Sequence, residues 1–213
     1  MINELNDLEK INEYYEGLMY DSSKKQITGT ISINKKYNDE VIQKEYEILV
    51  DLSKSHIPYV YDCKKIIKKT YPHMYVDRRL CLATDMEQYM FLNENKSICL
   101  WIKKYVETFF FSYEFHERYG VYPFGEYSHG LKGALEFYAE YFNMNNISEK
   151  RIKDVLNYIF LRRYRGHDFC PCGSLKKVRN CHKELIFRAK DDKYFEYLRN
   201  CYIKGVKNEE WYI

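Results

Sequence analysis

The sequence predicts an α+β fold, in which an antiparallel sheet is flanked by helices and followed by a small C-terminal zinc knuckle. Three observations predict it. Apolar and polar residues alternate within residues 27–52, apolar residues recur at helical spacing from residue 97, and cysteines cluster around residue 175. Strands that are segregated from helices along the chain are typical of the α+β class. The cysteine cluster indicates a bound metal.

The first fifty residues are predicted to form a helix and a β-hairpin. A helix is expected over residues 2–18, where apolar residues recur at helical spacing: Leu5, Leu8, Ile11, Tyr15 and Leu18. Residues 27–33 and 46–52 alternate as half-buried strands do. The turn residues 38–40 lie between them, which predicts that the two strands pair as a hairpin.

Less regular segments separate this hairpin from the helical part of the chain. Residues 58–60 predict a third extended piece, and residues 69–84 show no clean period and contain Pro72, so we expect a long ordered loop. A helix is predicted from Ser97, because apolar residues follow the i, i+3, i+4, i+7 rule at Ile98, Trp101, Ile102, Tyr105 and Phe109.

The last third of the chain is predicted to be helical on both sides of the cysteine cluster. Glycine and proline punctuate a loop at residues 120–130, and a helix is expected at residues 135–142. Ser148 is the predicted N-cap of a further helix that ends near Gly166, as at a glycine C-cap. Apolar residues beyond residue 184 predict a final helix and tail that fold back on the domain: Phe187, Tyr194, Phe195, Leu198 and Trp211.

Composition limits the classes of function. The 213 residues suit one medium domain and a small appendage, and a content of 46% hydrophobic and 17% aromatic residues argues against disorder. A formal net charge of +3 is too balanced to imply nucleic acid by itself. No apolar run approaches the ~18 residues that span a bilayer, and no signal peptide is expected, which together predict a cytoplasmic protein. Seven cysteines then favour metal or catalytic use over a disulfide scaffold.

Cys170, Cys172, Cys181 and His182 are the predicted metal ligands, spaced Cys-x-Cys-x8-Cys-His. Thiolate and imidazole donors in a closed set of four suit one structural Zn²⁺ ion. Gly173 lets the backbone turn tightly between the ligand pairs, and three cations there offset the negative charge of the thiolates: Lys176, Lys177 and Arg179. A pair of disulfides or chance clustering is the alternative interpretation.

This segment resembles the SEC-C zinc motif, whose usual run is Cys-Pro-Cys-Gly-Ser-Gly-Lys-Lys followed by Cys-His or Cys-Cys. All four ligand positions match, and Leu175 stands where the motif has a glycine. The resemblance implies a small metal-held knuckle of the kind that is appended to many bacterial proteins and recruits partners. It predicts a zinc ion and does not name an activity. Nucleic-acid binding is disfavoured, because the cations are few and no aromatic platform lies beside them.

Cys81 is the candidate nucleophile, and it lies in the unperiodic loop between two leucines. Free cysteine is among the most buried residue types, so a structural core thiol is the alternative. Two features favour reactivity. Arg78 and Arg79 lie just upstream and can stabilise a thiolate, and His73 lies eight positions earlier on the same loop. No local protease signature surrounds the cysteine.

The order of helix, strands and a His-containing loop that ends in Leu-Cys-Leu resembles the ubiquitin-conjugating enzyme (UBC) fold. In that family a His-Pro-Asn run precedes Ile-Cys-Leu or Leu-Cys-Leu, and the cysteine accepts a ubiquitin-like C-terminus as a thioester. A later segment is similar to a bacterial branch of the family, with the pattern Gly-x-x-Pro-x-Gly-Glu-x-Ser-His-Gly matched at Gly120, Pro123, Gly125, Glu126, Ser128, His129 and Gly130.

The resemblance implies catalytic roles for Cys81, His73 and His129. Cys81 takes the acyl group, His73 matches the family histidine that usually braces the loop, and His129 is a polar contributor near the thiol or a loop-capping residue. Met74 and Tyr75 stand where the family has Pro and Asn. That Asn supports the oxyanion during attack by lysine, and a missing donor of this kind costs about 3 kcal/mol. Transfer to lysine is therefore in doubt, whereas capture of a C-terminal acyl group is not.

Two hypotheses of function follow. In the first, Cys81 accepts the C-terminal glycine of a partner protein as a thioester, in bacterial anti-phage defence of the CBASS type. The resemblance implies a partner that presents a flexible C-terminal tail, either a nucleotide cyclase whose activity is tuned or a ubiquitin-like protein, and it implies no membrane. In the second, the fold is a non-catalytic interaction module with zinc, and Cys81 belongs to the core.

The predicted domain organisation has three parts. Residues 1–145 form the ubiquitin-conjugating-enzyme-like domain, residues 146–166 a connecting helix, and residues 167–213 the SEC-C motif with a C-terminal helix and tail. Cys99 is expected to be structural, because it lies one position off the apolar stripe of its helix. Cys63 and Cys201 carry no supporting constellation of neighbours in sequence.

Overall fold

The computed structural model describes residues 5–53, 56–125, 128 and 130–208, and for residues 206–208 the backbone alone. Residue contacts divide the chain into two compact units, Met1–Glu126 and Tyr127–Ile213. The helix at residues 130–141 belongs to the second unit. The predicted end of the ubiquitin-conjugating-enzyme-like domain, at residue 145, stays a prediction. Within the described ranges, every helix is too short or too polar to cross a lipid bilayer.

The first unit contains a four-stranded antiparallel sheet in the order β1-β2-β3-β4. Its strands are β1 (Leu18–Asp21), β2 (Gln26–Tyr37), β3 (Glu40–Asp51) and β4 (Tyr59–Asp62). Tyr37 pairs with Glu40, so Asn38 and Asp39 make a two-residue turn, and Asn38 takes the left-handed conformation (φ 53°) that such turns need. The predicted hairpin, third strand and α+β class are confirmed.

Helices cover one face of this sheet. They are α1 (Ile11–Tyr14), α2 (Asp85–Asn95), α3 (Ile98–Trp101) and α4 (Glu107–Tyr119), and a π-helical turn joins the last two at Ile102–Val106. Apolar side chains of β2 and β3 meet fully buried aromatic residues of α3 and α4, and the Tyr46 ring stacks on Phe110 with centroids 4.0 Å apart. The helix predicted from Ser97 is confirmed.

The N-terminal helix predicted over residues 2–18 is wrong in its described part. A 3₁₀ turn (Leu8–Lys10) and the single turn of α1 replace it, and Leu18 opens β1. The reason is strand pairing around Gly17: its carbonyl accepts the Thr30 N–H at 2.9 Å, and a Cβ on Gly17 would lie 2.3 Å from the Thr30 oxygen. The apolar residues whose spacing suggested a helix therefore pack in the core without forming that helix. Residues 1–4 lie outside the described ranges.

Helix α2, which begins directly after the segment expected to be a loop, was not predicted. Thr84 caps it by accepting the Glu87 N–H on its hydroxyl at 3.2 Å. Its buried residues mix apolar with polar side chains, so no clean stripe marks it: Met86, Gln88, Met90 and Leu92. The loop predicted at residues 69–84 is confirmed as ordered coil with isolated bridges.

The second unit is helical, with α5 (Gly130–Tyr141), α6 (Glu149–Leu161), α7 (Lys183–Lys190) and α8 (Phe195–Asn208). Ser148 stands at the N-cap of α6 without a side-chain cap hydrogen bond. That helix ends at Leu161 and not near Gly166 as predicted, because Arg162 is already extended. The predicted final helix is confirmed by α8, which packs on the unit's core through the Tyr138 hydroxyl and the Leu198 carbonyl (2.7 Å). Trp211 lies outside the described residues.

Candidate functional site

A tight hairpin over residues 73–81 positions Cys81. The Cys81 N–H donates to the His73 carbonyl at 2.9 Å, and the Tyr75 N–H donates to the Arg79 carbonyl at 2.9 Å. Arg78 makes the turn in the left-handed conformation (φ 69°). The hairpin is fixed to β4, since the Leu80 N–H donates to the Val60 carbonyl at 2.8 Å. Cys81 is therefore held by the sheet through main-chain hydrogen bonds.

Arg79 lies between two aromatic rings beside Cys81. Its guanidinium carbon is 3.9 Å from the centre of the Tyr75 ring and 4.1 Å from that of Tyr59. Cation–π contacts with the two rings hold the guanidinium in place. Arg78 points elsewhere, because its guanidinium donates to the Ile67 carbonyl at 3.2 Å. Of the two arginines expected to stabilise a thiolate, only Arg79 does so in the structure.

Cys81 lines a small cleft, and the residue is 6% exposed. The cleft is small, with a cavity volume of about 10 Å³, and is lined in part by polar side chains, namely those of Tyr75, Arg79, Asp85 and Gln88. Burial raises the pKa of the Cys81 thiol, although the Tyr75 hydrogen bond and the Arg79 charge act in the opposite direction. Removal from water therefore disfavours the thiolate that the two upstream arginines were expected to stabilise.

Two polar residues of α2 complete the cleft. Burial raises the pKa of the Asp85 carboxyl, and the Arg79 charge partly offsets this. The Gln88 side-chain amide donates to the Ala83 carbonyl at 2.9 Å. Neither residue was predicted, and neither was Tyr59 or Tyr75 as a neighbour of the thiol. The sequence gives no periodic signal for them, because their closeness to the thiol depends on where the helix that begins at Asp85 starts.

His73 lies against aromatic rings. Its ring centroid is 5.4 Å from that of Tyr71 and 5.4 Å from that of Tyr122, while its carbonyl accepts the hydrogen bond from Cys81. This arrangement is what a bracing residue requires, and a catalytic role for His73 stays a prediction. His129, the third predicted catalytic residue, lies outside the described residues. Its neighbour Ser128 donates from its N–H and its hydroxyl to Glu136, each at 2.8 Å.

The other cysteines of the first unit differ in exposure. Cys63 is exposed, and Cys99 is buried in α3. Burial and a hydrogen bond with Asp7 raise the pKa of the Cys99 thiol to about 12. Such a thiol stays protonated at neutral pH, as expected for a structural residue. In the second unit, Cys201 is half-buried in α8.

The four predicted metal ligands come together in the second unit. Their donor atoms all lie within 4.8 Å of one another. Among the described residues, no other group of three or more His, Cys, Asp or Glu side chains is arranged to hold a metal ion. The Cys172 and Cys181 sulfurs are 3.6 Å apart, and His182 Nδ1 is 3.2 Å from the Cys170 sulfur and 3.3 Å from that of Cys181. Bonds of ~2.3 Å to sulfur and ~2.0 Å to nitrogen place tetrahedral zinc donors ~3.5–3.8 Å apart. The donor set therefore fits zinc.

The backbone between the ligand pairs forms a tight knuckle. The Cys170 N–H donates to the Lys176 carbonyl at 2.8 Å, and Gly173 turns with a φ of 83°. Leu175 also takes the left-handed conformation (φ 61°) with its side chain 82% exposed. That conformation is the physical reason for a glycine in the usual motif, because only glycine adopts it without cost. Lys177 stacks on the Phe169 ring at 3.8 Å.

A family model described as "Type II CBASS E2 protein" matches residues 7–130, which is more than half of the chain and includes the hairpin with Cys81. The chain belongs to this family. It is accordingly an E2-like protein of CBASS anti-phage defence. The matched region ends before the metal-binding cluster, so the likeness of the knuckle to SEC-C stays a resemblance. Neither a curated protein nor a solved structure matches the chain.

Proposed function

We propose that Cys81 of this CBASS E2 protein accepts the C-terminal glycine of a partner protein as a thioester. One observation above all supports this. Within the region that matches the family, the Cys81 sulfur faces a cleft that also contains a hydroxyl and a guanidinium, from Tyr75 and Arg79. A thiol that served only as core would need neither group.

The proposed step is a thioester exchange. The donor is a carboxyl terminus that is already activated as a thioester on a carrier thiol. The Cys81 sulfur attacks the carbonyl carbon, the new carbon–sulfur bond forms, and the bond to the carrier sulfur breaks. The thiol proton of Cys81 leaves with the carrier thiol, so no oxidant or reductant is needed. The product is the partner's glycine joined to Cys81.

The partner in this proposal is another protein of the CBASS system, a nucleotide cyclase with a flexible C-terminal tail. Co-expression of the two full-length proteins with the system's remaining components tests it. Intact mass spectrometry should detect an adduct on the E2-like chain that hydroxylamine removes. Cys81→Ala should abolish the adduct, and Cys63→Ala, which alters an exposed cysteine of the same unit, should leave it unchanged. An adduct that persists in Cys81→Ala contradicts the proposal.

We also propose that Cys170, Cys172, Cys181 and His182 hold one structural zinc ion. Three thiolates and one imidazole close the coordination sphere, which leaves no position for substrate. Elemental analysis of the purified protein should give one zinc per chain. Cys172→Ser should lose it, whereas Cys201→Ser, in helix α8 of the same unit, should retain it. Retention of zinc by Cys172→Ser would contradict the assignment.

A non-catalytic interaction module is the second candidate, and the burial of Cys81 favours it. In that case the knuckle docks the partner and the cleft has no reaction to perform. Iodoacetamide separates the two candidates. A Cys81 that is alkylated in the folded protein supports the enzyme, and a Cys81 that reacts only after unfolding supports the module.

A further inference from the structure

The Tyr75 side chain lies beside the candidate nucleophile. Tyr75 and Cys81 line the same cleft, and a hydrogen bond from Tyr75 acts to lower the pKa of the Cys81 thiol. The backbone brings them together, since Tyr75 pairs with Arg79 and His73 pairs with Cys81 across the hairpin. Because Cys81 is 6% exposed, water is a poor substitute for this contact.

The Tyr75 ring is fixed in place by the sheet. Arg79 lies between the rings of Tyr75 and Tyr59, and Tyr59 belongs to β4. Arg79 Nε is buried and makes no hydrogen bond to any described residue. On this side of the guanidinium, the contacts are therefore with aromatic rings and not with a polar partner. The stack of three side chains connects the sulfur contact to a strand of the core.

The hydroxyl suits the charges that thioester exchange creates. Negative charge develops first on sulfur and then on the acyl oxygen of the tetrahedral intermediate, in a cleft with little water. A fixed donor in such a site stabilises developing charge more strongly than it would in water. Burial, together with the Asp85 charge and the charge that Cys81 carries when it ionises, raises the pKa of the Tyr75 phenol. It therefore stays protonated and remains a donor throughout the physiological range.

We propose that Tyr75 is a catalytic residue of the thioester exchange, whose hydroxyl donates a hydrogen bond to the Cys81 sulfur and then to the acyl oxygen. Arg79 is its positioning residue, which holds the ring. Tyr75 keeps its own proton throughout, and the bonds made and broken are those of the exchange already described. This inference rests on the proposed function, because it assigns no role to Tyr75 if Cys81 is not acylated.

The test uses a short peptide that ends in glycine, activated as its mercaptoethanesulfonate thioester, and follows acylation of the full chain by intact mass. Tyr75→Phe retains the ring against Arg79 and removes only the hydroxyl. We expect it to slow Cys81 acylation about 100-fold, the effect of removing one donor to an oxyanion. Tyr59→Phe removes the hydroxyl from the other ring of the stack and should change the rate less than twofold.

A second readout separates a catalytic role from a structural one. The pH dependence of alkylation by iodoacetamide gives the pKa of Cys81, and loss of the hydroxyl should raise that pKa because the Tyr75 hydrogen bond favours the thiolate. Arg79→Lys keeps the positive charge but loses the planar stack, and it should slow acylation about tenfold. If Tyr75→Phe fails to fold, Arg79→Lys decides the question.

The outcomes are distinguishable. Acylation of wild type and Tyr75→Phe at equal rates overturns the role of Tyr75 and leaves the proposed function standing. Equal rates for Arg79→Lys and wild type overturn the positioning role. If wild-type Cys81 is acylated neither by the peptide thioester nor in the co-expressed system, the proposed function and this inference both fall.

Discussion

At the scale of single residues, the Cys81 sulfur is subject to opposing effects. Removal from water favours the neutral thiol, whereas the Tyr75 hydroxyl and the Arg79 guanidinium favour the thiolate. Asp85 adds a negative charge that again favours the thiol. The balance leaves the thiol protonated at neutral pH. A thiol of this kind reacts with electrophiles slowly at neutral pH, through the small fraction that is ionised.

The raised pKa of Cys81 predicts the pH dependence of its alkylation. Because the folded pKa lies above that of a free cysteine (~8.5), the thiolate fraction at pH 7 is small and rises about tenfold per pH unit. The rate of iodoacetamide modification at Cys81, measured by peptide mass spectrometry, should therefore still be increasing between pH 7 and pH 8.5. A rate that is constant above pH 6 would show a depressed pKa and contradict this expectation.

The functional residues could be predicted from the sequence where their spacing alone indicates their chemistry. The four metal ligands follow from the density of Cys and His within thirteen residues, and they converge as expected. Cys81 followed from a local motif and its neighbours. Tyr75 and Gln88 did not, because their closeness to the sulfur depends on the register of a hairpin and on where a helix begins. Neither is visible in periodicity.

At the scale of elements, the N-terminal segment stabilises a helix far along the chain. The Asp7 carboxylate accepts hydrogen bonds from the Ser97 hydroxyl (2.6 Å), the Ile98 N–H (2.8 Å) and the Cys99 N–H (3.1 Å). It thus satisfies the free N–H groups at the start of α3. Burial alone would raise the pKa of Asp7, but these hydrogen bonds outweigh it and lower the pKa.

Loss of the Asp7 charge should destabilise the first unit. A folded pKa below the unfolded value (~3.9) means that the stabilisation is present above pH 4 and is lost as the pH falls through the folded pKa. Asp7→Asn should therefore cost about 1–2 kcal/mol at pH 7 in urea unfolding, and less at pH 3. Asp39→Asn, in the exposed turn of the hairpin, should change stability by under 0.5 kcal/mol.

Gly29 allows β1 and the segment before it to pack on β2. It has a φ of 136°, and a Cβ there would lie 2.0 Å from the Gly17 carbonyl oxygen. Gly29→Ala should cost at least about 3 kcal/mol, because it adds a backbone clash to a strained conformation. Gly120→Ala is the control, since its φ of 71° is strained but no atom lies within 4 Å of the added Cβ. It should cost about 1 kcal/mol in the same thermal unfolding measurement. Equal costs would contradict the role of close packing at Gly29.

Elements were predictable where the pattern was unambiguous. The β2–β3 hairpin alternates and has an Asn-Asp turn, and the helix from Ser97 has a regular stripe, so both were found. The helix predicted for the N-terminal segment was wrong, because the apolar spacing there fits a helix while the pairing of Gly17 with Thr30 requires an extended chain. Long-range pairing of this kind overrides local periodicity.

At the scale of the whole molecule, the chain consists of two units with different sources of stability. The first has a continuous core in which large aromatic residues such as Trp101 and Phe111 are fully buried. The second combines a core around Tyr138 with the knuckle, whose short backbone offers little apolar burial of its own. Small segments of this kind depend on their metal for folding.

Chelation should therefore affect one part of the protein. Treatment of the full chain with phenanthroline should abolish protection from hydrogen exchange at residues 166–182, where binding of zinc supplies the folding free energy. Amides of the first unit, such as those of β3, should keep their protection. Because the thiolates must be deprotonated, acid should have the same local effect as the chelator. Simultaneous loss of protection in both units would contradict a knuckle that folds on its own metal.

The hairpin that holds Cys81 has a further consequence for solubility. β4 is the last strand of the sheet, and its outer edge would expose unpaired main-chain groups to other molecules. The hydrogen bond from Leu80 to Val60 and the bridge between Tyr61 and Arg79 occupy that edge. The segment that presents the nucleophile also prevents edge-to-edge association, so variants that loosen it lose protection against aggregation together with their chemistry.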